Sequence, residues 1–420
     1  MKQIYALMLM LMMASVAFTG CVSDDSDDAK DTTTDTETET ETETETETET
    51  ETETEAVLGC IDSTANNFNA DATEDDGSCT FDPVGADTQS TLDAVIAAGS
   101  MKCGVKTSQF GMGYLADDGT RSGLDIEYCR AVAAAIGLDP DTAIEYVLAT
   151  GSNRFDLLAS GDIDVLIRTT TWTTSRDADL NADFAGINFY DGQGMLVNLD
   201  AHPGADSMDD IDTANICVGI GTTTEGNLAD YFQVNDLTYT AVNSADAAAA
   251  KASFTDQSCT AWTGDMSAMV AQKWGMEQSN DGAGPGFSMG IMPELMSKEP
   301  LAAATRDNDD DWNDVVTWVW YGMLTAEELG VDSTNYATQN LSNPAYNRLL
   351  NSTLGLGTET NPLSPTWMQS VLATSGNYAE AYDRSFCDGT GAFENCLIDR
   401  AGTQNAPYWD GGLQYAPPMR

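Results

Sequence analysis

Residues 166–177 read LIRTTTWTTSRD, and the interpretation of the whole chain starts from this stretch. It continues a short apolar run, residues 163–167, that is typical of a buried strand. Strand ends of open α/β sheets face ligand crevices, and the planar guanidinium of Arg176 matches the two oxygens of a carboxylate. The stretch therefore predicts a receptor for a small carboxylate, with a polar loop whose Arg176 pairs with a surface Asp as the alternative. The hydroxyl side chains that would assist are Thr169, Thr170, Thr171, Thr173, Thr174 and Ser175.

The first twenty residues predict a signal peptide. Lys2 precedes an apolar run from about Ile4 to Phe18, which is too short to span a bilayer comfortably. The following Gly20 and Cys21 predict a lipid attachment at Cys21, with simple cleavage as the alternative. We therefore expect an extracytoplasmic protein that is lipid-anchored to the outer face of the cytoplasmic membrane.

Residues 21–56 predict a disordered acidic stalk. They alternate Thr and Glu over 36–55 and contain almost no apolar side chains, so they cannot form a packed core. The whole chain has a formal net charge of −51, which argues against nucleic-acid binding. We interpret the acidity as an adaptation to a salty medium, where such charges are screened.

Residues 57–82 predict a small spacer bounded by Cys60 and Cys79. Asp71, Asp75 and Asp76 supply oxygens suited to calcium, but a turn-rich spacer is the favoured interpretation because the spacing is not that of an EF-hand loop. A single histidine, His202, and the absence of any CxxC pair argue against zinc. No cofactor is expected, and apart from Cys21 the even number of cysteines predicts disulfides in an oxidising compartment.

The run TTTWTTSRDADLNADFAGINFYDGQGMLV, residues 169–197, carries a family resemblance. It resembles the general L-amino-acid-binding proteins of ABC importers, a subgroup of the polar-amino-acid type of extracytoplasmic solute-binding proteins, family 3. The likeness extends from about residue 91 to the ending GGLQYAPPMR.

The resemblance implies an α/β, two-lobed periplasmic-binding-protein-like (type II) fold with a hinge of two crossing segments. Lobe 1 would comprise residues 88–196, lobe 2 residues 197–297, and residues 298–420 would return to lobe 1 and add a C-terminal extension. It also implies the disulfides Cys60–Cys79, Cys103–Cys129, Cys217–Cys259 and Cys387–Cys396.

The resemblance further assigns roles to ligand-binding residues. Arg176 would take the α-carboxylate of an amino acid, and Asp265 would take its α-ammonium group. From the residues themselves, Asp265 also suits a helix N-cap, and Thr222 with Glu225 predicts a capping box. The other implied contacts are Thr169, Thr171 and Thr223, together with Phe110 or Tyr114, for which ordinary loop packing is the alternative.

These features predict a monomeric binding protein that captures free L-amino acids and delivers them to an ABC transporter permease. One alternative is a sensor that presents its ligand to a membrane receptor. The other is a dehydratase-type enzyme of the same fold, which is disfavoured because the sequence shows no nucleophile–His–acid set. We therefore expect no enzymatic activity.

Overall fold

A computed structural model describes residues 57–59, 69–75, 90–282 and 284–420. Several predictions lie outside these residues: the signal peptide (1–20), the lipid attachment at Cys21, the stalk (21–56), the Cys60–Cys79 disulfide and the role of Asp76. Among the described residues, none of the helices combines the length and the apolar character that a membrane span requires.

The spacer contributes a short pair of strands. Strand β1 (Leu58–Gly59) pairs in parallel with β2 (Glu74–Asp75). The described residues contain no group of three or more His, Cys, Asp or Glu side chains that could hold a metal ion. Calcium binding by Asp71, Asp75 and Asp76 stays a prediction, because Asp76 is not described.

The first half of the folded chain alternates strands and helices. Gly99, at φ 68°, ends the first helix because its N–H reaches back to the Val95 and Ile96 carbonyls. Gly123, at φ 114°, begins the second; a Cβ there would lie 2.1 Å from the Met112 carbonyl oxygen. The elements are α1 (Thr91–Ala98), β3 (Met101–Val105), β4 (Ser108–Gln109), β5 (Gly113–Leu115), β6 (Arg121–Ser122), α2 (Leu124–Ala135), β7 (Ile144–Leu148), α3 (Arg154–Ala159), β8 (Val165–Thr171), α4 (Thr174–Asp179) and β9 (Ala182–Asn198).

The second half repeats this alternation and then returns. Its elements are β10 (Asn215–Gly219), α5 (Thr223–Val234), β11 (Thr240–Ser244), α6 (Ala247–Thr255), β12 (Ala261–Asp265), α7 (Met266–Glu277), α8 (Ser279–Gly282) and β13 (Met289–Ile291). The remainder comprises β14 (Lys298–Arg306), α9 (Asp310–Glu328), α10 (Pro344–Leu350), α11 (Trp367–Thr374) and α12 (Tyr378–Phe386).

Nine strands form one sheet, which passes through both halves. The order is β11-β10-β12-β9-β14-β8-β3-β7, and β13 also pairs with β9. We call the half built on β3, β7 and β8 lobe 1, and the half built on β10, β11 and β12 lobe 2. Within each lobe these three strands run parallel, whereas β14 is antiparallel to both β8 and β9.

The long strand β9 joins the lobes. Its residues 182–192 pair with β14, and its residues 193–197 pair with β12 of lobe 2. Strands β9 and β14 are therefore the two crossing segments of the hinge. The lobe boundaries at residues 196–197 and 297–298 stay predictions.

Helices that follow β14 cover lobe 1. Helix α9 buries Trp312 and Trp320 completely, and Tyr128 of α2 donates a hydrogen bond to the Val316 carbonyl at 2.8 Å. The core of lobe 1 is therefore completed by residues far along the chain.

Three disulfides lie in the described part. They join Cys103 to Cys129, Cys217 to Cys259 and Cys387 to Cys396. These are three of the four pairings that the resemblance implied. The first links β3 to α2 in lobe 1, and the second links β10 to the segment before β12 in lobe 2.

Candidate functional site

A cavity of about 180 Å³ lies between the two lobes. Its walls come from the segments that follow β3, β7, β10 and β11, from the end of β8 in lobe 1, and from the end of β12 and the start of α7 in lobe 2. These are the carboxyl ends of parallel strands, where open α/β sheets bind ligands. The cavity is therefore the candidate site.

Asp265 places a carboxylate from lobe 2 in the wall of the cavity. It is the last residue of β12 and stands at the N-cap position of α7, but its side chain makes no helix-capping hydrogen bond. Burial raises the pKa of Asp265, while the nearby Lys106 opposes that rise. A half-buried carboxylate that the helix does not use is suited to a cationic ligand group.

Arg154 is the most deeply buried cation of the cavity. It opens α3 and is 2% exposed. Its Nε has no hydrogen-bond partner, and no ion pair among the described residues includes it. The guanidinium lies 5.1 Å from the centroid of the Phe155 ring, which carries no formal charge and so cannot form an ion pair with it. Burial lowers the pKa of Arg154, and the charges of Asp265 and Glu299 offset that effect only in part. Because neither carboxylate forms an ion pair with the guanidinium, this wall can receive an anion.

Two further cations line the same cavity. Arg168 of β8 donates from Nε to the Ala149 carbonyl at 3.0 Å, and Lys106 donates from Nζ to Gln109 Oε1 at 2.6 Å. Burial lowers the pKa of Arg168 to about 10 and that of Lys106 to about 8. Both side chains are therefore mainly protonated at neutral pH.

Thr169 has an unusual backbone at this wall. Its φ is 39°, and its buried hydroxyl has no hydrogen-bond partner. A β-branched residue is rarely found in the left-handed region, and such outliers cluster at functional sites. Thr169 lines the cavity, as do Thr171 and Thr223.

The hydroxyls of Thr171 and Thr223 already have a carboxylate partner within the chain. Both donate to Oε2 of Glu299, Thr223 at 2.9 Å. Oε1 of Glu299 accepts hydrogen bonds from Asn227 at 2.8 Å and from Ser297 at 2.6 Å. Glu299 lies on β14 and is 1% exposed. Through these hydrogen bonds it joins hydroxyls of both lobes at the hinge. Sequence reasoning missed it, although Glu299 stands at the start of the segment, residues 298–420, that the resemblance expects to return to lobe 1.

Arg176 lies outside the residues that line the cavity. Its Nη1 donates to the Thr171 carbonyl at 2.9 Å, and its guanidinium lies 5.6 Å from the Phe155 ring. Burial lowers the pKa of Arg176, and Glu299 partly offsets that effect. The structure thus brings Asp265, Thr169, Thr171 and Thr223 together at the cavity without Arg176, whose contact with a ligand stays a prediction.

The two predicted aromatic contacts also lie outside the cavity lining. Phe110 stacks on Trp274 of α7 with ring centroids 4.7 Å apart, and Tyr114 lies edge-on to Phe110 at 5.7 Å. Phe110 therefore packs lobe 1 against lobe 2 beside the site. The residues just before it, 106–109, do line the cavity.

The lobes touch through polar groups around the cavity. Gln109 Nε2 donates to Ser267 Oγ, and Gln272 Nε2 donates to the Ser108 carbonyl, both at 2.9 Å. These contacts describe a closed cleft. They also show that the loop after β3 takes part in closure.

The predicted capping box at the start of α5 is wrong. Thr222 is the N-cap, but its hydroxyl donates to the Gly219 carbonyl at 2.7 Å and not toward the helix. Glu225 instead accepts from the Gly221 N–H at 3.1 Å, one residue before the N-cap. The tight turn after β10 competes for both side chains.

Comparisons with known proteins agree with this architecture. Residues 101–350 match the model of the bacterial extracellular solute-binding proteins, family 3. The glutamate/glutamine/aspartate/asparagine-binding protein BztA of Rhodobacter capsulatus is 39% identical over 338 residues, which cover 80% of this chain and 95% of that protein. The general L-amino acid-binding periplasmic protein AapJ of Rhizobium johnstonii is 36% identical over 342 residues, with coverages of 80% and 95%.

A solved structure is similar over the same range. The periplasmic binding protein of an ABC transporter from Brucella ovis, with glutathione bound, superposes with a TM-score of 0.71 at 38% identity. The match covers 79% of this chain and 100% of that one. The relatives named here are binding proteins, and the two-lobed fold expected from the resemblance is confirmed. The chain belongs to the bacterial extracellular solute-binding proteins, family 3.

Proposed function

We propose that this protein captures free L-amino acids outside the cytoplasmic membrane and delivers them to the permease of an ABC importer. The observation that carries the proposal is the presence of opposite charges on the two walls of the cleft. The Arg154 guanidinium, whose Nε has no hydrogen-bond partner, lies on lobe 1, and the Asp265 carboxylate, which does not cap α7, lies on lobe 2. The names of the relatives, amino-acid-binding proteins, support the same class of ligand. No catalytic step is proposed.

In this proposal Asp265 binds the α-ammonium group, and Arg168 with Arg154 binds the α-carboxylate. These are the arginines that line the cavity, whereas Arg176, to which the resemblance assigned the carboxylate, lies outside that lining. The hydroxyls of Thr171 and Thr223 donate to Glu299. Each charge-assisted hydrogen bond contributes about 1.5–3 kcal/mol. Several together can give micromolar or tighter binding after the costs of association.

The ligand would bridge the lobes and so favour the closed cleft. A permease that recognises this closed form would accept the loaded protein in preference to the empty one. A lipid on Cys21 and the acidic stalk would keep the protein near the permease while leaving the lobes free to move. Intact-mass measurement of the membrane-extracted protein, before and after a Cys21→Ser substitution, tests the lipid attachment.

The experiment that tests the carboxylate assignment compares two arginines. The protein is unfolded and refolded to remove any bound amino acid, and amino acids are then titrated by calorimetry. We expect Arg168→Ala to weaken binding about 10–100-fold, the loss of one charge-assisted contact. If Arg154 and Arg168 hold the carboxylate, Arg176→Ala should change affinity by less than about threefold. The assignment that the family resemblance implies expects Arg176→Ala to weaken the binding of all amino acids alike. The reverse order would return the carboxylate to Arg176, and an absence of binding to the wild-type protein would refute the proposed function.

Arg154→Met should raise stability while it lowers affinity. The substitution removes a buried charge that forms no ion pair among the described residues and that Asp265 and Glu299 offset only in part, so we expect the free energy of unfolding to rise by about 1–4 kcal/mol. Urea denaturation without ligand measures this change, and calorimetry measures the loss of affinity. Arg306→Met is the matched control: Arg306 donates to the Leu158 and Ile163 carbonyls and to Thr91, so its loss should destabilise. A destabilised Arg154→Met protein would mean that Arg154 is structural.

A further inference from the structure

Lys106 is the one cation of the cavity that the proposed amino-acid clamp does not use. It follows β3 directly and lines the cavity. Its Nζ donates to the uncharged Gln109 amide oxygen, and no carboxylate among the described residues forms an ion pair with it. A half-buried ammonium loses hydration that only an anion fully restores.

The charges around the cavity are unbalanced for a neutral ligand. Lys106, Arg154 and Arg168 are cationic, and they are opposed by Asp265 in the wall and by the fully buried Asp125. Asp125 interacts with both Lys106 and Arg168, and burial raises its pKa to about 6, so it is ionised at neutral pH. One positive charge remains after these are matched.

Other charged groups nearby do not remove this excess. Arg176 and Glu299 interact with each other and offset. Asp191 lies outside the cavity lining, and burial raises its pKa to about 7, so it is partly neutral. Asp246 is exposed at the cavity, where water screens it, and its Oδ1 caps α6 through the Ala249 N–H. A zwitterion without a charged side chain adds no net charge, whereas a ligand with one additional carboxylate would neutralise the site.

We infer that the site selects amino acids with an anionic side chain, L-glutamate or L-aspartate, over their amides, and that Lys106 contacts the side-chain carboxylate. This inference rests on the proposed function. The inference also distinguishes between ligands that the name of the Rhodobacter relative groups together. Glutamate and glutamine have nearly the same shape but differ in charge. The expected discrimination is therefore electrostatic.

The test is calorimetric titration of the refolded full-length protein with L-glutamate, L-glutamine, L-aspartate and L-asparagine at one pH near 7.5 and one ionic strength. We expect glutamate to bind at least about tenfold more tightly than glutamine, the effect of one charge-assisted contact. In Lys106→Met and Lys106→Gln the glutamate-to-glutamine affinity ratio should fall toward one. Two substitutions of Lys106 are used so that the test still holds if one of the variant proteins fails to fold.

Arg130→Met is the matched control, because it removes a positive charge that lies outside the cavity lining, where Arg130 pairs with Asp141 at 2.8 Å. It should keep the wild-type ratio. Equal affinities for glutamate and glutamine in the wild-type protein would overturn the inference but leave the proposed function standing. A ratio unchanged by both Lys106 substitutions would overturn the role of Lys106. Failure of all four amino acids to bind would instead count against the proposed function.

Discussion

Asp265→Asn should abolish useful amino-acid binding. The substitution keeps the shape of the side chain but removes the carboxylate proposed to hold the α-ammonium group. Breaking a buried charge pair by removing one partner costs about 3–5 kcal/mol, so we expect affinity to fall by about 100-fold or more for every amino acid. Calorimetric titration of the refolded protein measures this loss.

The fold should survive this change. Asp265 makes no capping hydrogen bond to α7, and burial raises its pKa, so ionisation of this group costs stability in the unliganded protein. The thermal midpoint should therefore be equal to that of the wild type or higher.

Asp246→Asn is the matched control for Asp265→Asn. Asp246 also lines the cavity, but it is exposed and its carboxylate caps α6. Asn is an equally good N-cap, so both stability and affinity should stay close to the wild-type values. If Asp265→Asn retained affinity within about threefold of the wild type, the ammonium group would have to bind elsewhere.

Glu299→Ala should have the largest effect on stability. The substitution removes the acceptor for the buried donors Thr171, Thr223, Asn227 and Ser297. Burying such groups without partners is costly, and Arg176 also loses a favourable charge. We expect the free energy of unfolding to fall by about 3–5 kcal/mol in urea denaturation.

The same substitution should loosen the cleft. Glu299 joins Thr171 of lobe 1 to Thr223 and Asn227 of lobe 2, so without it the unliganded lobes should separate more often. Small-angle X-ray scattering of the ligand-free protein should then show a larger radius of gyration. Glu299→Gln, which keeps the volume and one acceptor, should show a smaller change in both measurements. A Glu299→Ala protein as stable as the wild type would show that water replaces the carboxylate without cost.

Much of the fold was predictable from local patterns. The apolar run at residues 163–167 predicts a buried strand, and β8 (Val165–Thr171) begins within that run. The crossing segments followed from the resemblance. Such elements are marked by apolar runs and by glycines, and these signals are local.

The charged wall of the site was not predictable in the same way. Arg168 stands inside the quoted stretch, directly after the predicted strand, but no role in binding was predicted for it or for Arg154. Their shared cavity depends on the parallel pairing of β8 with β3 and on the packing of α3, which are long-range features. A charged residue can be recognised as buried and unpaired only when its neighbours from distant segments are known.

The disulfides of the two lobes have a mechanical consequence. Cys103–Cys129 closes a loop within lobe 1, and Cys217–Cys259 closes one within lobe 2. No disulfide in the part of the chain that the structure describes spans the cleft. Oxidation therefore stiffens each half as a separate rigid body and leaves their relative rotation unrestrained. An oxidising environment can thus stabilise the protein without slowing the proposed capture of ligand.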